Sequence, residues 1–567
     1  MAVDEVGHPE GEGSSSAVAA GILLSRLAGL ARESLLRSVL ALGPAADAFA
    51  AALRIPNLLQ NLLGEGSLSA SFIPVYSRLL GEGRRDEAGK VAAAVAGLLT
   101  ALAGGLVVVA IVAARPLATV LAPGFDGARL DLTVDLLRIT TGGLGLLVLS
   151  AWCLGILNSH GRFFLPYVAP VLWNVAQIAV LIAALTGDWS PTRAATGLAW
   201  GLVVGGALQF GVQAVAVRRL APELRPWIGR TVGRGDPSVA DVRRRFGPAV
   251  LGRGVLQLSG YLDLMLASLL ATGAVAGLLS AQMLYSLPVA LFATSVAAAA
   301  LPGMSRSPTS DLAAISLQAR RRTAFFVAFS TVAFLVLGES IVGALFGWGA
   351  FDGDDARAVS MVLGAYALGL PAVASSRIHQ NTLYAMGDTA GPARVAAVRV
   401  GLAAVIGLAL MFPMDRITVH AGELLTLGDQ GWFGPLGRGV RSGSPDPHLG
   451  AVGLALGSAV AAWTELVLLS RRTRRSLGAP TGPASVMGPL ASPVAAAVVI
   501  AVVSRWATDG LPDLAAAPVS LAVAGLAYVV VAAGTGVTEA QQFVASVRAG
   551  NLRAGNLRAG RRDRRRG

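Results

Sequence analysis

About fourteen stretches of this chain are each apolar enough to cross a lipid bilayer, and that succession leaves few folds open. A span needs about 20 mostly apolar residues. The stretches are 17–42, 47–77, 91–113, 135–157, 167–185, 194–217, 246–271, 274–302, 322–346, 359–385, 393–413, 449–470, 489–506 and 514–534. In lipid the backbone must satisfy its own hydrogen bonds, so such spans are helices. Pro56 and Pro74 should break or bend the second one. Composition agrees: 54% of residues are hydrophobic and 14% charged, where a soluble domain carries about 25% charge. The expected class is an all-α polytopic membrane protein.

Charge alternates between the loops. Loops after even-numbered spans, with the C-terminal tail, hold roughly 28 Lys and Arg, and loops after odd-numbered spans roughly 7. The positive-inside rule then puts both termini in the cytoplasm. The net charge of +13 therefore reports topology and anionic lipid rather than nucleic acid. Residues 1–16 are polar and acidic, lack the features of a signal peptide, and read as a disordered tail. Eight arginines between Arg548 and Arg566 make 535–567 a basic cytoplasmic tail drawn to lipid headgroups. The single cysteine, Cys153, rules out an intramolecular disulfide.

A repeat divides the chain. Phe125-Asp126, Gly143, Ser150, Leu157, Gly161 and Pro166 recur 226 residues later as Phe351-Asp352, Gly369, Ser376, Leu383, Gly387 and Pro392. Spans 1–6 and 7–12 are two copies of one six-helix unit. Six is even, so the copies are parallel, as in transporters that rock around a central site. The expected lobes are 17–217 and 246–470. A basic linker, 218–245, joins them, and 489–534 adds two further spans. An outside insertion at 413–450 is Gly- and Pro-rich with little apolar periodicity, and reads as a surface loop.

The charges of SRLAGLARESLLR (25–37) break the apolar pattern. At about 100° per residue Arg26, Glu33 and Arg37 fall within roughly 20° of one line, and Arg32 lies about 120° away. Charges beside spans face a protein interior or a watery cavity. No phosphate-cradling GxxxxGK[ST] motif occurs, and no histidine stands at metal-ligand spacing from another. Transport rather than catalysis is the expectation, with no cofactor.

The motifs SRLAGLARE, DAF and RIPNLLQNLLGEGSLSASFIPVYS resemble those of the MurJ (MviN) lipid II flippases, within the superfamily of multidrug, oligosaccharidyl-lipid and polysaccharide exporters. The resemblance continues through GILNSHGRFFLPYVAPVLWN and LYSLPVALFATSVAAAALPGMSR and covers roughly residues 17–470. It implies two parallel six-helix repeats around a central cavity, in the bacterial inner membrane. It implies translocation of a lipid-linked peptidoglycan precursor, lipid II, to the outer leaflet by alternating access. Arg26, Arg32, Glu33, Asp47, Arg54, Gln60 and Glu65 would bind that substrate. Arginine suits the diphosphate because its planar fork makes paired hydrogen bonds. Membrane lipids and cell-wall synthesis proteins are the other expected partners, with no nucleic acid. The resemblance also implies a sodium site, to which Asp263 and Ser458 would contribute, although span 11 offers no Asn or Asp.

Two family arginine positions are altered. PNLLRR is PNLLQN here, with Gln60 and Asn61, and Met283 stands for an arginine in span 8. Arg253, Arg37 and Arg377 are the residues that could restore the charge. Two other readings therefore stand beside the first: export of another undecaprenyl-linked glycan, and a non-transporting scaffold of cell-wall synthesis. Topology can be checked directly. Cysteines placed by Ser442→Cys and Ser476→Cys should label oppositely with an impermeant thiol reagent on intact cells. Ser442→Cys should react from outside; reaction of Ser476→Cys there would overturn the span order.

Overall fold

The computed structural model describes residues 10–224, 237–306, 308–427, 433–477 and 484–548. The first nine residues, residues 225–236 of the expected linker and the arginine-rich end lie outside the described residues. The described chain is helical nearly throughout and forms two compact units. One is Met1–Ala276 with Trp348–Phe351; the other is Gly277–Gly347 with Asp352–Gly567.

The first unit opens with helix α1 (Glu10–Leu40). Residues 10–16, expected in a disordered tail, are helical; two early glutamates suit the positive end of a helix dipole. The second expected span is four short helices: α2 (Pro44–Ala52), α3 (Arg54–Leu63), α4 (Glu65–Ser71) and α5 (Ile73–Gly81). Pro56 and Pro74 do not interrupt helices but sit in the first turns of α3 and α5. A missing N–H costs nothing there, because first-turn N–H groups have no intrahelical acceptor. Then come α6 (Arg85–Val112), α7 (Ala114–Leu121), α8 (Gly127–Ser159), α9 (Phe164–Val168), α10 (Pro170–Thr186), α11 (Pro191–Leu220) and α12 (Pro237–Ser268). One core gathers Phe72, Tyr76, Leu99, Leu144 and Ile156. Another gathers Phe49, Leu136, Leu137 and Leu198.

Helix α12 belongs by contact to this first unit, whereas the repeat assigns it to the second lobe. Its tethers explain why. Tyr261 donates to the carbonyl of Arg54 at 3.0 Å, and Gly124 N–H donates to Ser268 Oγ at 3.2 Å. The two backbones meet so closely that a Cβ on Gly124 would lie 1.9 Å from the Ser268 carbonyl oxygen.

The second unit begins along α13 (Ala274–Pro288), which a wider π-type turn over 289–294 joins to α14 (Ser295–Arg306). Pro288 removes a backbone donor just where the turn widens. Helices α15 (Thr309–Val336) and α16 (Gly338–Phe346) follow, bent by 78° at their junction. Next are α17 (Gly353–Ala385) and α18 (Ala390–Met414). Helices α8 and α17 are each 33 residues and each begins right after a Phe-Asp pair of the repeat.

The insertion is not an irregular loop. It holds an antiparallel hairpin, β1 (Ile417–His420) and β2 (Glu423–Thr426), and a short helix α19 (Arg438–Gly443). Ala421 and Gly422 both have positive φ, the geometry of a two-residue hairpin turn. Asp354, at the start of α17, accepts from both their N–H groups at 2.8 and 2.7 Å. Such a turn is set by a distant carboxylate, so no local Asn-Gly signal announced it. The chain ends with α20 (Gly450–Leu477), α21 (Ala484–Met487), α22 (Ala491–Ala507) and α23 (Asp513–Gly534).

Among the described residues ten helices are long and apolar enough to cross a membrane, or eleven with the bent pair as one span. The other three expected spans correspond to α1, the broken run α2–α5, and α12. Each carries charges or breaks that an apolar criterion penalises. The Gly124 approach gives a test. Gly124→Ala should destabilise by about 1–3 kcal/mol, the usual cost of overpacking. Gly142→Ala, with nothing within 4 Å of the new methyl, should not. Thermal unfolding in detergent distinguishes them; equal midpoints would contradict the packing described.

Candidate functional site

Helix α1 carries the charged stripe, and its members are paired along the helix. Glu33 accepts from Arg37 through Nε at 3.2 Å and Nη2 at 2.8 Å, and from Arg32 Nη2 at 3.2 Å. One turn of helix brings residues 33 and 37 together. Two guanidinium groups thus share one carboxylate, and the trio keeps a net positive charge. The three side chains are nearly buried, at 15% exposure for Arg32, 13% for Glu33 and 3% for Arg37. Arg32 also lies over the Trp173 ring, 5.2 Å from its centroid. Its Nε–H is buried and has no hydrogen-bond partner among the described residues. Arg26, two turns earlier, is exposed.

Asp47 lies elsewhere, in a buried junction. Its carboxylate accepts from Gly273 N–H at 2.8 Å, Ala276 N–H at 2.9 Å and Arg129 Nη1 at 3.4 Å. Gly273 and Ala276 flank the start of α13, so Asp47 caps that helix from a distant part of the chain. Gly273 adopts φ +90°, which suits glycine. Arg129 is held further by the Gly124 carbonyl at 3.3 Å and by the Phe125 ring at 4.2 Å. Both oxygens of Asp47 accept from protein groups, which makes it a tertiary cap at the start of α13.

The remaining residues spread along the broken second span. Arg54 begins α3, half-buried, with its carbonyl taken by Tyr261. Gln60 is half-buried and Asn61 exposed. Glu65 begins α4; its side chain lies outside the described residues, as does that of Arg253. Asp263 in α12 and Ser458 in α20 are each half-buried, in different units. Met283 in α13 is half-buried, and its neighbour Gln282 donates to the Tyr366 hydroxyl at 2.9 Å. The structure therefore brings Arg32, Glu33 and Arg37 together and sets Asp47 apart. One pair escaped the sequence reading: Arg399 and Glu465, joined at 2.8 Å within α18 and α20. Its signal was available, since each is a lone charge in an otherwise apolar run.

Residues 36–425 match the family model described as lipid II flippase MurJ. The chain belongs to that family. It is 32% identical to a probable lipid II flippase MurJ of Rhizobium tropici over 73% of this chain and 78% of that one. It is 31% identical to the lipid II flippase MurJ of Burkholderia cenocepacia, over 72% and 78%. A solved lipid II flippase MurJ in an inward closed conformation shares the fold, with TM-score 0.69 at 21% identity, over 90% of this chain and 97% of that one. An inward-facing multidrug transporter of the MATE family shares it more distantly, with TM-score 0.60 over 83% of this chain and 100% of that one. The MurJ family transports rather than catalyses, and among the described residues no cluster of three or more His, Cys, Asp or Glu could hold a metal.

The capping role of Asp47 can be tested. Asp47→Ala strands the Arg129 charge and two N–H groups, and should cost about 3–5 kcal/mol, as for other broken buried pairs. Asp47→Asn should cost less. An unchanged unfolding midpoint for Asp47→Ala would contradict this reading.

Proposed function

We propose that this chain moves lipid II from the cytoplasmic to the outer leaflet of the bacterial inner membrane, with both its termini in the cytoplasm. One observation supports the reading beyond family membership: Arg32 is charged, nearly buried, oriented by Glu33 and Trp173, and retains an unpartnered Nε–H. A buried donor on a cation is costly unless a ligand or water takes it. A diphosphate takes it well, because charge-assisted hydrogen bonds to phosphate are short and strong.

The residues divide the work as follows. Arg32 and Arg37 supply positive charge to the diphosphate. Glu33 holds both guanidinium groups when the site is empty and can yield one of them to the ligand. The trio then never leaves a bare charge in the low-dielectric interior. Gln60 offers an uncharged hydrogen bond to sugar or phosphate. The polyprenyl tail stays in lipid throughout. Two units of one chain are what an exchange between inward- and outward-open states needs.

Sodium coupling fits these residues poorly. Between Arg394 and Phe412 span 11 has no oxygen-bearing side chain, and it presents the Arg399 guanidinium to Glu465 instead. A guanidinium has no lone pair for a cation. Asp263 and Ser458 remain the sequence-based ligands, and no step above depends on them.

Expression of the chain should rescue a bacterium depleted of its own flippase. Arg32→Ala should abolish rescue while the protein still inserts, whereas Arg218→Ala, in the last turn of α11, should rescue normally. Full rescue by well-expressed Arg32→Ala would contradict the proposal.

A further inference from the structure

A second cationic node lies wholly within the other unit. Glu465 in α20 is 2% exposed. Both its oxygens are taken: Oε1 accepts from Gln380 Nε2 at 3.0 Å, and Oε2 from Arg399 Nη1 at 2.8 Å. The Arg399 side chain is 29% exposed, and Glu465 is its one hydrogen-bond partner among the described residues. A guanidinium has five N–H donors in a fixed fork, so one edge is held and the rest is available. Arg377 stands three residues before Gln380 on α17 and hence on the same helix face. It is exposed and forms no ion pair among the described residues. Arg399 thus pairs with a carboxylate that Gln380 also holds, and Arg377 stands on the same side of α17 as that glutamine.

The depth of this node matters. Arg377 is eight residues from the end of α17 and Arg399 nine from the start of α18, so each is about 12–14 Å along its helix from the short loop that joins the two helices. An excess positive charge within a span is costly and marks a functional site. The excess calls for an anion.

We propose that Arg399 and Arg377 form a second binding site for the diphosphate of a lipid-linked substrate, with Glu465 as the positioning residue that holds Arg399. The proposal rests on the transport reading above and names a part of the chain that reading does not use. The substrate's diphosphate would meet one arginine set in each unit.

The test is equilibrium binding to the full-length protein in detergent. The probes are lipid II, undecaprenyl diphosphate and inorganic diphosphate. The variants are Arg377→Gln and the double change Arg399→Gln with Glu465→Gln, which removes the cation without stranding a charge. Each should weaken binding of both lipids by about tenfold or more, the worth of one charge-assisted hydrogen bond, with the unfolding midpoint retained. Wild-type affinity for both lipids in the folded double variant overturns the site. If the double variant does not fold, wild-type affinity in Arg377→Gln overturns it. Binding of lipid II that ignores these residues but falls with Arg32→Gln removes the second site and keeps the transport reading. Binding of undecaprenyl diphosphate but not lipid II, with the same arginine dependence, keeps the site and removes lipid II as the substrate. Binding of inorganic diphosphate alone overturns the assignment to a lipid-linked ligand.

Discussion

A charge placed within a bilayer must be paired or must meet water, and the positions of the charges in this chain follow from that constraint. Among the described residues three helical nodes pair arginine with a nearly buried carboxylate. Arg32 and Arg37 share Glu33; Arg129 faces Asp47; Arg399 faces Glu465. They are not equivalent. Asp47 is saturated by two backbone N–H groups and an arginine, so it closes a junction. The Arg32–Glu33–Arg37 node holds more cation than anion, and both it and the Arg399–Glu465 pair keep donors to spare. A saturated node serves stability and specificity of the fold, while an unsaturated one is where an anion gains most.

The same constraint shapes the backbone. The most apolar spans, such as α6, α18 and α23, are long, unbroken helices. The region between residues 44 and 81, with its Gly, Pro and Ser, is four short ones. Non-helical backbone at membrane depth is tolerated where protein or a watery cavity satisfies it. Here Tyr261 takes the Arg54 carbonyl and Ser268 takes the Gly124 N–H. These contacts draw α12 onto the first unit, although the repeat counts it with the second.

Most of the architecture was legible because hydropathy and loop charge are properties of single segments. The 226-residue repeat was legible for the same reason, and α8 and α17 show it as two helices of equal length. What escaped the sequence depended on distant partners. The hairpin turn at Ala421-Gly422 is fixed by Asp354, 67 residues away. The cap at Gly273 is fixed by Asp47, 226 residues away. The motif around Asp47 did not show that it accepts from Gly273, Ala276 and Arg129, which only the fold brings near. The Arg32–Glu33–Arg37 grouping was half visible, since Arg32 lies off the stripe yet reaches Glu33 as its chain neighbour. Arg399 and Glu465 were visible as lone charges, but their pairing required the packing of α18 on α20.

The central claim is that an arginine-lined path carries a lipid diphosphate across the bilayer. The most direct measurement is transbilayer movement of fluorescently labelled lipid II in vesicles reconstituted with the purified chain. The account predicts faster movement than in protein-free vesicles, and no comparable gain for a labelled neutral lipid of the same tail. Equal lipid II rates with and without the protein, at verified incorporation, would contradict it.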